Sequence, residues 1–335
     1  MKVLLYFEKQ NMIKQSGIGR ALRHQRDALK EAGIDYTLDP NDTYDLAHIN
    51  TLFNDSYKVL KKCKKNNIPV IVHGHSTIED FENSFRLWKL IRYPFYHMMF
   101  KMYSKADYII TPTPYSKELI SNYKQVTCPV YDLSNGIDLE NYAHNDSYIK
   151  KYKEHFNITD QKVVMGVGLF FERKGLLDFF ECARKLPEIK FIWFGNLSKI
   201  MTQPKILKAI KNRPHNVIMP GYIDGEVIKG AFQSADLLFF PSYEETEGIV
   251  VLEALASKTP ILVRDIGVYK PWLKDNESCF MGKDNNDFIN KINYIINNDT
   301  SKIVDKGFMV AYERQTKFIG EKLKDIYTDI TNKSR

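Results

Sequence analysis

The stretch ADLLFFPSYEETEGIVVLEALA, residues 235–256, passes from a short apolar run through a polar loop into an apolar segment of helical length. The first run has the length and composition of a buried strand. The segment from Ile249 onward predicts a buried helix, with the turn between the two elements at Gly248. A strand, a loop and a helix in this order form the repeating unit of α/β folds with parallel sheets.

Strands and helices alternate along the chain in two series. The predicted strands of the first series are MKVLLYFE, YDLAHIN, IPVIVHGHS and ADYIITPT, and helical segments such as SGIGRALRHQRDALKEAG and DSYKVLKKCKKNN separate them. The second series begins with the strand KVVMGVGLFF and continues with KFIWFG, NVIMPGYI, ADLLFFPS and TPILVRDI. This alternation predicts two α/β domains, each with a parallel sheet covered by helices on both faces.

We place the domain boundary near residue 150, in the polar and poorly periodic stretch ENYAHNDSYIKKYKEHFNITDQ, which we interpret as a connecting segment. The predicted domains are residues 1–150 and residues 151–310. The stretch MVAYERQTKFIGEKLKDIYTDI has apolar residues at helical spacing, and we predict one amphipathic helix in residues 311–335. This helix either closes the second domain or crosses back to the first, and we expect it to cross back.

The composition limits the class of protein. At 335 residues, 44% of them apolar, the chain is long enough for two domains with cores of their own. No window approaches the roughly 20 apolar residues that a bilayer-spanning helix needs, so the sequence excludes an integral membrane protein. The four cysteines are widely spaced and no secretory leader is recognised, so we expect reduced thiols inside a cell. The net charge of +7 allows attraction to an anionic surface.

Two glycine loops follow the first strands of the two series, where ligands bind in open parallel sheets. Gly17 and Gly19 lie in SGIGR, and Gly168 lies in GVGLFFERKG. Neither loop has the full GxGxxG pattern, so each could be only a turn. Arg173 and Lys174 stand just before a predicted helix, where the helix dipole disfavours cations, and such a pair suits a diphosphate ligand. A solvated pair of cations is the alternative.

The glutamates around Gly248 also admit two interpretations. Glu245 and Glu247 would complement the positive end of the helix dipole without any ligand. That explanation fails for Glu253, one turn into the apolar helix, because a buried carboxylate costs free energy unless it accepts hydrogen bonds. Sugar hydroxyls would supply such bonds, and the backbone amides near Gly248 would be available to a phosphate.

These residues resemble a known family. PSYEETEGIVVLEALASKTP, residues 241–260, is similar to the signature of the retaining glycosyltransferases of family four, in which two glutamates stand eight positions apart. The resemblance extends to SGIGR, VIVHGHST, SNGID and GLFFERKG. It implies the GT-B fold, with two Rossmann-like domains whose parallel sheets face a central cleft.

The resemblance also implies roles for individual residues. Lys174 would bind the diphosphate of a nucleotide sugar, and Glu253 would hold the ribose hydroxyls. Glu245 would lie near the donor sugar, and His75 resembles the histidine close to the reacting sugar. The predicted catalytic residues are therefore His75, Arg173, Lys174 and Glu245. The other predicted donor-binding residues are Gly17, Gly19, Gly168, Gly248, Ile249 and Glu253.

The chain departs from the family pattern at a few positions. Leu169 stands where the family often has a phosphate-binding arginine, and we expect Arg173 to replace it. Glu247 and Lys258 replace a common aromatic residue and a common glycine. No D-x-D motif follows a strand, so we predict no metal site and no tightly bound cofactor, with Mg²⁺ at most stimulatory. Cations and backbone amides would then stabilise the departing nucleoside diphosphate.

The window RLWKLIRYPFYHMMFKMYSK, residues 86–105, combines basic and aromatic residues and has no acidic residue. Cations around an apolar face are typical of a helix that lies on an anionic membrane, and a core helix with a wet basic face is the equally weighted alternative. No RNA- or DNA-binding motif accompanies the charge, so we predict no nucleic-acid partner. The predicted membrane-binding residues are Arg86, Trp88, Lys89, Arg92, Phe95, Phe100, Lys101 and Lys105.

Over nearly its whole length the chain resembles the bacterial enzymes that add a second hexose to monoglucosyldiacylglycerol, in SGIGRALRHQ, HGHSTIEDFENSF, IITPTPYSK, SNGIDLE, FIWFG and EETEGIVVLEALAS. This resemblance implies a peripheral enzyme on the cytoplasmic face of the cell membrane, with a UDP-hexose donor and partners among anionic lipids and glycolipids. Glucose is the preferred transferred sugar, and the preferred product is an α-1,2-linked diglucosyl lipid. UDP-galactose as donor, a soluble or cell-envelope acceptor, and a catalytically silent nucleotide-sugar binder stay open.

Overall fold

The computed structural model describes residues 1–9 and 16–333, which form two compact units. Unit 1 contains the described residues of Met1–Phe81, Lys89–Asp138 and Arg314–Arg335. Unit 2 contains Glu82–Trp88 and Leu139–Glu313. The short segment Glu82–Trp88 therefore belongs to unit 2, although the residues on both sides of it belong to unit 1.

Unit 1 is built, within its described residues, on a six-stranded parallel sheet with the strand order β2-β1-β3-β4-β5-β6. The strands are β1 (Lys2–Tyr6), β2 (Asp35–Thr37), β3 (Leu46–Ile49), β4 (Val70–His73), β5 (Tyr108–Thr111) and β6 (Val130–Asp132). The helices are α1 (Gly17–Glu31), α2 (Asn54–Lys65), α3 (Ile78–Phe81), α4 (Trp88–Tyr103), α5 (Pro114–Ser121) and, near the end of the chain, α13 (Thr316–Lys333).

Unit 2 has a second six-stranded parallel sheet among its described residues, with the order β12-β11-β10-β7-β8-β9. The strands are β7 (Val163–Val167), β8 (Lys190–Phe194), β9 (Val217–Gly221), β10 (Leu237–Phe240), β11 (Ile261–Arg264) and β12 (Phe280–Gly282). The helices are α6 (Asp146–His155), α7 (Leu176–Lys185), α8 (Pro204–Lys211), α9 (Glu226–Ser234), α10 (Ile249–Ala256), α11 (Asn285–Asn297) and α12 (Ser301–Tyr312), with 3₁₀ turns at Glu140–Tyr142 and Glu172–Lys174.

The sheet of unit 1 is buried on both faces. Along β1, Val3 and Leu5 belong to one apolar cluster and Leu4 belongs to another, because successive side chains of a strand point to opposite faces. The first cluster also takes in Leu323 and Tyr327 from α13, which packs against α1. The prediction of a parallel sheet with helices on both faces is confirmed.

The stretch interpreted as a connecting segment is folded, so that interpretation was wrong. It forms helix α6, and the side chain of Asn145 caps this helix by accepting hydrogen bonds from Ser147 N at 3.0 Å and Tyr148 N at 3.2 Å. Aromatic residues at Tyr148, Tyr152 and Phe156 recur every four positions, and Tyr152 and Phe156 are buried. These aromatics, together with the capping asparagine, were the available helix signal.

The prediction of a single C-terminal helix was also wrong in detail. The structure has two helices here, since α12 ends at Tyr312 in unit 2 and α13 begins at Thr316 in unit 1. Between them the backbone pairs with another segment of unit 1. Ile137 N donates to Arg314 O at 2.9 Å, and Thr316 N donates to Ile137 O at 3.0 Å.

Candidate active site

The loop after β7 and the loop after β10 meet in unit 2. Gly175, which follows the Glu172–Lys174 turn, has a left-handed backbone with φ of 73°. A Cβ atom at this position would lie 2.3 Å from Pro241 O, so only glycine lets the two loops approach this closely. Tyr243 N also donates to Arg173 O at 2.7 Å. The loops are thus fixed so that Lys174 lies beside Glu245.

Lys174 and Glu245 form a buried ion pair. Lys174 Nζ donates to Glu245 Oε1, and Ser242 Oγ donates to the same oxygen at 2.7 Å. The Lys174 and Glu245 side chains are 15% and 8% exposed. Burial alone would raise the pKa of Glu245, but the charges of Lys174 and Arg173, with the two hydrogen bonds, hold that pKa below its ordinary value. Glu245 is therefore a carboxylate at neutral pH.

Arg173 is turned towards groups of unit 2. Its Nε donates to Ser84 Oγ at 2.9 Å, and its Nη1 donates to Glu244 O at 2.9 Å. Nη1 also lies 3.9 Å from Glu245 Oε1. The guanidinium thus adds positive charge near Glu245 while it ties the Glu82–Trp88 segment to the loop after β10.

Gly248 and Glu253 lie on the continuation of the same loop. Gly248 has φ of 88° and stands at the N-cap position of helix α10, whose first residue is Ile249. Glu253 is 2% exposed, and Tyr142 Oη donates to its Oε1 at 2.8 Å. A tyrosine hydroxyl thus provides part of the hydrogen bonding that a carboxylate in an apolar helix requires.

Gly168 packs against the side chain of Lys174. Gly168 O accepts a hydrogen bond from Trp193 Nε1 at 2.9 Å. A Cβ atom on Gly168 would lie 3.3 Å from Trp193 Cζ2 and 3.4 Å from Lys174 Cγ, so the loop packs closely against both side chains. Unit 2 therefore brings together the predicted residues Gly168, Arg173, Lys174 and Glu245.

Two tyrosines of this region were missed by the sequence reasoning. Tyr142 lies in the stretch that was interpreted as a connecting segment. Tyr269 is fully buried, and its hydroxyl would lie 3.1 Å from a Cβ atom on Gly248. Burial and the nearby charge of Glu245 raise the pKa of Tyr269 well above its ordinary value, so it stays a neutral hydroxyl. The available signal was position, since Tyr269 follows β11, the strand that pairs with β10.

The remaining predicted residues lie in unit 1. Gly17 and Gly19 form the first turn of α1, and the side chain of Ser16 caps this helix by accepting from Gly19 N at 3.4 Å. His75 follows β4 and belongs to a group that we call the histidine stack, consisting of His48, His73 and His75. Ring centroids within the stack are 5.2 Å apart for His48 and His73 and 3.8 Å apart for His73 and His75.

Burial lowers the pKa of every member of the histidine stack. The pKa of His48 and the pKa of His75 are lowered to about 3, and that of His73 lies well below its ordinary value. His75 is therefore a neutral imidazole near pH 7. It can form hydrogen bonds, but it carries no charge for a leaving phosphate.

Helix α4 divides into an exposed part and a packed part. In unit 1, Leu90, Ile91 and Tyr93 are 71%, 39% and 66% exposed, and Lys89 is exposed beside them. We call these residues, with the half-buried Arg92, the α4 surface. Exposed apolar side chains next to basic ones are typical of binding surfaces.

The second part of α4 turns towards the core. The Phe95 ring stacks on Phe81 with centroids 4.0 Å apart, and Phe100 contacts the Tyr123 ring edge-on at 5.5 Å. Lys101 Nζ lies 4.2 Å from the centre of the Tyr57 ring. Of the other predicted membrane-binding residues, Lys105 is exposed in unit 1, whereas Arg86 is exposed and Trp88 half-buried in unit 2.

No helix that the described residues form is long and apolar enough to cross a membrane. In the same residues, no group of three or more histidine, cysteine, aspartate or glutamate side chains is arranged to hold a metal ion.

Two family models match most of the chain. Residues 19–141 match the model described as Glycosyltransferase Family 4. Residues 149–306 match the model described as Glycosyl transferases group 1. The end of the first match and the start of the second both fall within the polar stretch 140–161, which contains α6.

Similar curated proteins include enzymes of glycolipid synthesis. The chain is 52% identical over 331 residues to the processive diacylglycerol alpha-glucosyltransferase of Acholeplasma laidlawii, covering 98% of both chains. It is 25% identical over 260 residues to the alpha-galactosylglucosyldiacylglycerol synthase of Streptococcus pneumoniae, covering 72% of this chain and 65% of that protein.

Solved structures with the same fold include sucrose-phosphate synthase from Thermosynechococcus elongatus, with a TM-score of 0.80 and 16% identity over 98% of this chain and 99% of that one. Another is the Anabaena protein Alr3699/HepE in complex with UDP-glucose, with a TM-score of 0.79 and 16% identity over 98% of this chain and 100% of that one. With the two family matches, these likenesses confirm the predicted GT-B fold class of two Rossmann-like domains.

Proposed function

This chain belongs to the family-four glycosyltransferases and is a glycosyltransferase enzyme, and we propose that it transfers a hexose from a UDP-sugar to a glycolipid at a membrane surface. The preferred reaction transfers glucose in an α-1,2 linkage to monoglucosyldiacylglycerol, with retention of configuration. The product is a diglycosyldiacylglycerol.

The observation that carries the proposal is the buried ion pair between Lys174, on the loop after β7, and Glu245, on the loop that leads from β10 to Glu253. A nucleotide sugar presents a diphosphate and several hydroxyl groups. The loop after β7 supplies a cation, and the loop after β10 with helix α10 supplies two carboxylates, which matches both kinds of group.

In the proposed complex, Lys174 binds the diphosphate, and Arg173 adds positive charge beside it. These cations stabilise the negative charge that builds up on the leaving UDP, which lowers the barrier to transfer. Glu245 accepts hydrogen bonds from the donor hexose. Glu253 accepts them from the ribose, in exchange for or in addition to the bond from Tyr142.

Similarity to the Acholeplasma laidlawii enzyme over 98% of both chains supports a diacylglycerol-based acceptor and glucose as the transferred sugar. The name of the Streptococcus pneumoniae relative contains galactose, so UDP-galactose is the alternative donor. The α4 surface supports binding to an anionic membrane, because apolar side chains can enter the lipid interface while Lys89 and Arg92 contact head groups.

Transfer is tested with purified protein, radiolabelled UDP-glucose or UDP-galactose, and monoglucosyldiacylglycerol in mixed micelles. We expect a labelled diglycosyl lipid from UDP-glucose. Lys174→Met and Glu253→Gln should each lower kcat/KM by about a hundredfold or more, as loss of a transition-state contact does. Lys162→Met is the matched control, because Lys162 forms an ion pair with Asp236 at 2.9 Å with half of its side chain exposed. Full turnover in both site variants would refute the site, and transfer only to soluble sugars would refute the acceptor.

Membrane binding is tested separately by sedimentation with phosphatidylglycerol vesicles. A Leu90→Ser, Tyr93→Ser variant should lose binding because two exposed apolar side chains of the α4 surface are removed. Tyr294→Ser is the control, since Tyr294 is 52% exposed on α11 of unit 2, a helix that contains none of the predicted membrane-binding residues. Equal binding by all three proteins would exclude the α4 surface as the membrane contact.

A further inference from the structure

His75 is held by a buried amide that no motif pointed to. His75 Nε2 lies 3.0 Å from Asn50 Oδ1, and both residues are buried. Asn50 directly follows β3 and His75 follows β4, which are neighbouring parallel strands. The carboxyl ends of parallel strands lie at the same edge of the sheet, where ligands bind.

The direction of this hydrogen bond follows from the contact that the NH₂ group of the same amide makes. Asn50 Nδ2 donates to His48 O at 3.4 Å. The carbonyl oxygen of the amide must therefore face His75, because the reverse orientation would place two acceptors against each other. A carbonyl oxygen only accepts, so the proton of this bond belongs to His75 Nε2.

A neutral imidazole has one protonated and one unprotonated nitrogen. Burial lowers the pKa of His75 to about 3, so the ring is neutral near pH 7. With the proton on Nε2, the lone pair is on Nδ1. Among the described residues, no group hydrogen-bonds to Nδ1, and His75 keeps 9% of its surface exposed.

The rest of the histidine stack fixes the plane of the His75 ring. His73 stacks on it with a centroid distance of 3.8 Å and an interplanar angle of 18°. His73 is held in turn by His48, whose Nε2 lies 3.1 Å from His73 Nδ1. Tyr327 Oη, on α13, lies 2.7 Å from His48 Nδ1. Buried neighbours thus fix the His75 ring on two sides: His73 packs against one face, and Asn50 contacts the Nε2 edge.

We propose that Asn50 is a positioning residue for His75, which it holds in the tautomer protonated at Nε2 so that Nδ1 presents a lone pair at the carboxyl edge of the unit 1 sheet. Nδ1 then accepts a hydrogen bond from a hydroxyl group and donates none. The functional part rests on the proposed function, in which His75 lies near the reacting sugar. His75 would select a hydroxyl at the position that it contacts and reject a substituent that only accepts.

The tautomer is measured directly by ¹⁵N NMR on protein labelled at its histidines, with the His75 signals identified by their loss in His75→Gln. We expect a protonated Nε2 and an unprotonated Nδ1 that do not change between pH 6 and pH 8. A proton on Nδ1, or a rapidly exchanging mixture of the two tautomers, would overturn the proposal. This measurement needs no variant of Asn50 and no enzymatic activity.

The role of Asn50 is tested with Asn50→Leu, which removes the acceptor, and Asn50→Asp, which keeps one. We expect Asn50→Leu to give mixed tautomers at His75 and to lower kcat about tenfold with little change in KM for the UDP-sugar, the effect of losing one hydrogen bond. Asn50→Asp should restore the tautomer and most of kcat. Gln25→Leu is the matched control, because Gln25 is a buried amide that contacts His48 instead, and it should leave the His75 signals in place.

The outcomes separate the two proposals. Mixed tautomers in Asn50→Leu with unchanged kcat would show that Asn50 does not act through His75 in transfer. A correct tautomer in a wild-type protein that transfers no hexose would refute the proposed function alone. Thermal unfolding of each variant identifies any that has lost its fold. If a variant is unfolded, the tautomer proposal is judged from the wild-type ¹⁵N spectrum alone.

Discussion

Replacing Lys174 by methionine should destabilise unit 2 by about 3 kcal/mol at pH 7. The side chain keeps its length, but Glu245 loses the ammonium group that compensates its charge in a site where only 8% of its side chain is exposed. Removing one partner of a buried ion pair costs about 3–5 kcal/mol. We take the lower figure, because Ser242 still donates to the carboxylate at 2.7 Å and Arg173 remains 3.9 Å away.

The stabilities of the wild type and of Lys174→Met should change with pH in opposite directions. In the wild type the pKa of Glu245 lies below its ordinary value of 4.5, so the ion pair stabilises the fold above pH 4.5, and the effect is lost as the pH falls through the lowered pKa. In Lys174→Met the two interactions with Lys174 that lower the pKa of Glu245 are gone, and we expect burial to outweigh Arg173 and Ser242 and to raise that pKa. The variant therefore loses stability as the pH rises from 4.5 through the raised pKa. The difference between the two proteins should be largest at neutral pH and shrink on acidification.

Urea unfolding followed by tryptophan fluorescence at pH 7 and pH 5 measures both effects. Lys162→Met is the control for the loss of a partly exposed lysine, and its ion pair should contribute no more than about 1 kcal/mol. The double variant Lys174→Met, Glu245→Gln should regain most of the lost stability at pH 7, because the uncompensated charge is gone. If the double variant is no more stable than Lys174→Met, or if the loss does not depend on pH, the buried ion pair is not the cause.

Gly175→Ala should destabilise unit 2 by about 2 kcal/mol or more in urea unfolding, because it adds a clash with the backbone to the strain of a left-handed residue. Gly221→Ala, with φ of 85° and open space at its Cβ, should show the strain alone. Tyr142→Phe should cost about 1–3 kcal/mol by the same assay, since buried Glu253 loses a donor at 2.8 Å, and an unchanged midpoint would contradict this. Unit 1 should lose stability as the pH falls below about 6.5, because the histidine stack binds protons less readily folded than unfolded; a flat thermal midpoint between pH 7 and pH 5 would exclude this.

Strands of four or five residues were predictable from the sequence, and the three-residue edge strands were not. The predicted apolar runs contain β1, β3, β4 and β5 of unit 1 and β7 to β11 of unit 2. The missed strands β2, β6 and β12 have three residues each, and each lies at an edge of its sheet. A strand of three residues has no long apolar run, so its sequence resembles that of a loop.

The candidate site divides in the same way. Residues within one continuous stretch, such as Glu245, Gly248 and Glu253, could be selected because their spacing is visible in the sequence. Tyr142, Tyr269 and Asn50 could not, because each reaches its partner only through tertiary packing. Helix α4 is an intermediate case, since composition predicted a basic and aromatic helix but not which half of it packs against the core.

Because the described residues 314–333 pack into unit 1 while the residues just before them belong to unit 2, the order of synthesis matters for folding. A ribosome completes the residues of unit 2 before it makes α13, so unit 2 can fold while unit 1 still lacks one of its helices. Until then, the apolar side chains that later contact Leu323 and Tyr327 stay open to solvent and to chaperones. A stop codon shortly after Glu313 would therefore yield a protein whose damage lies in the half that was translated first.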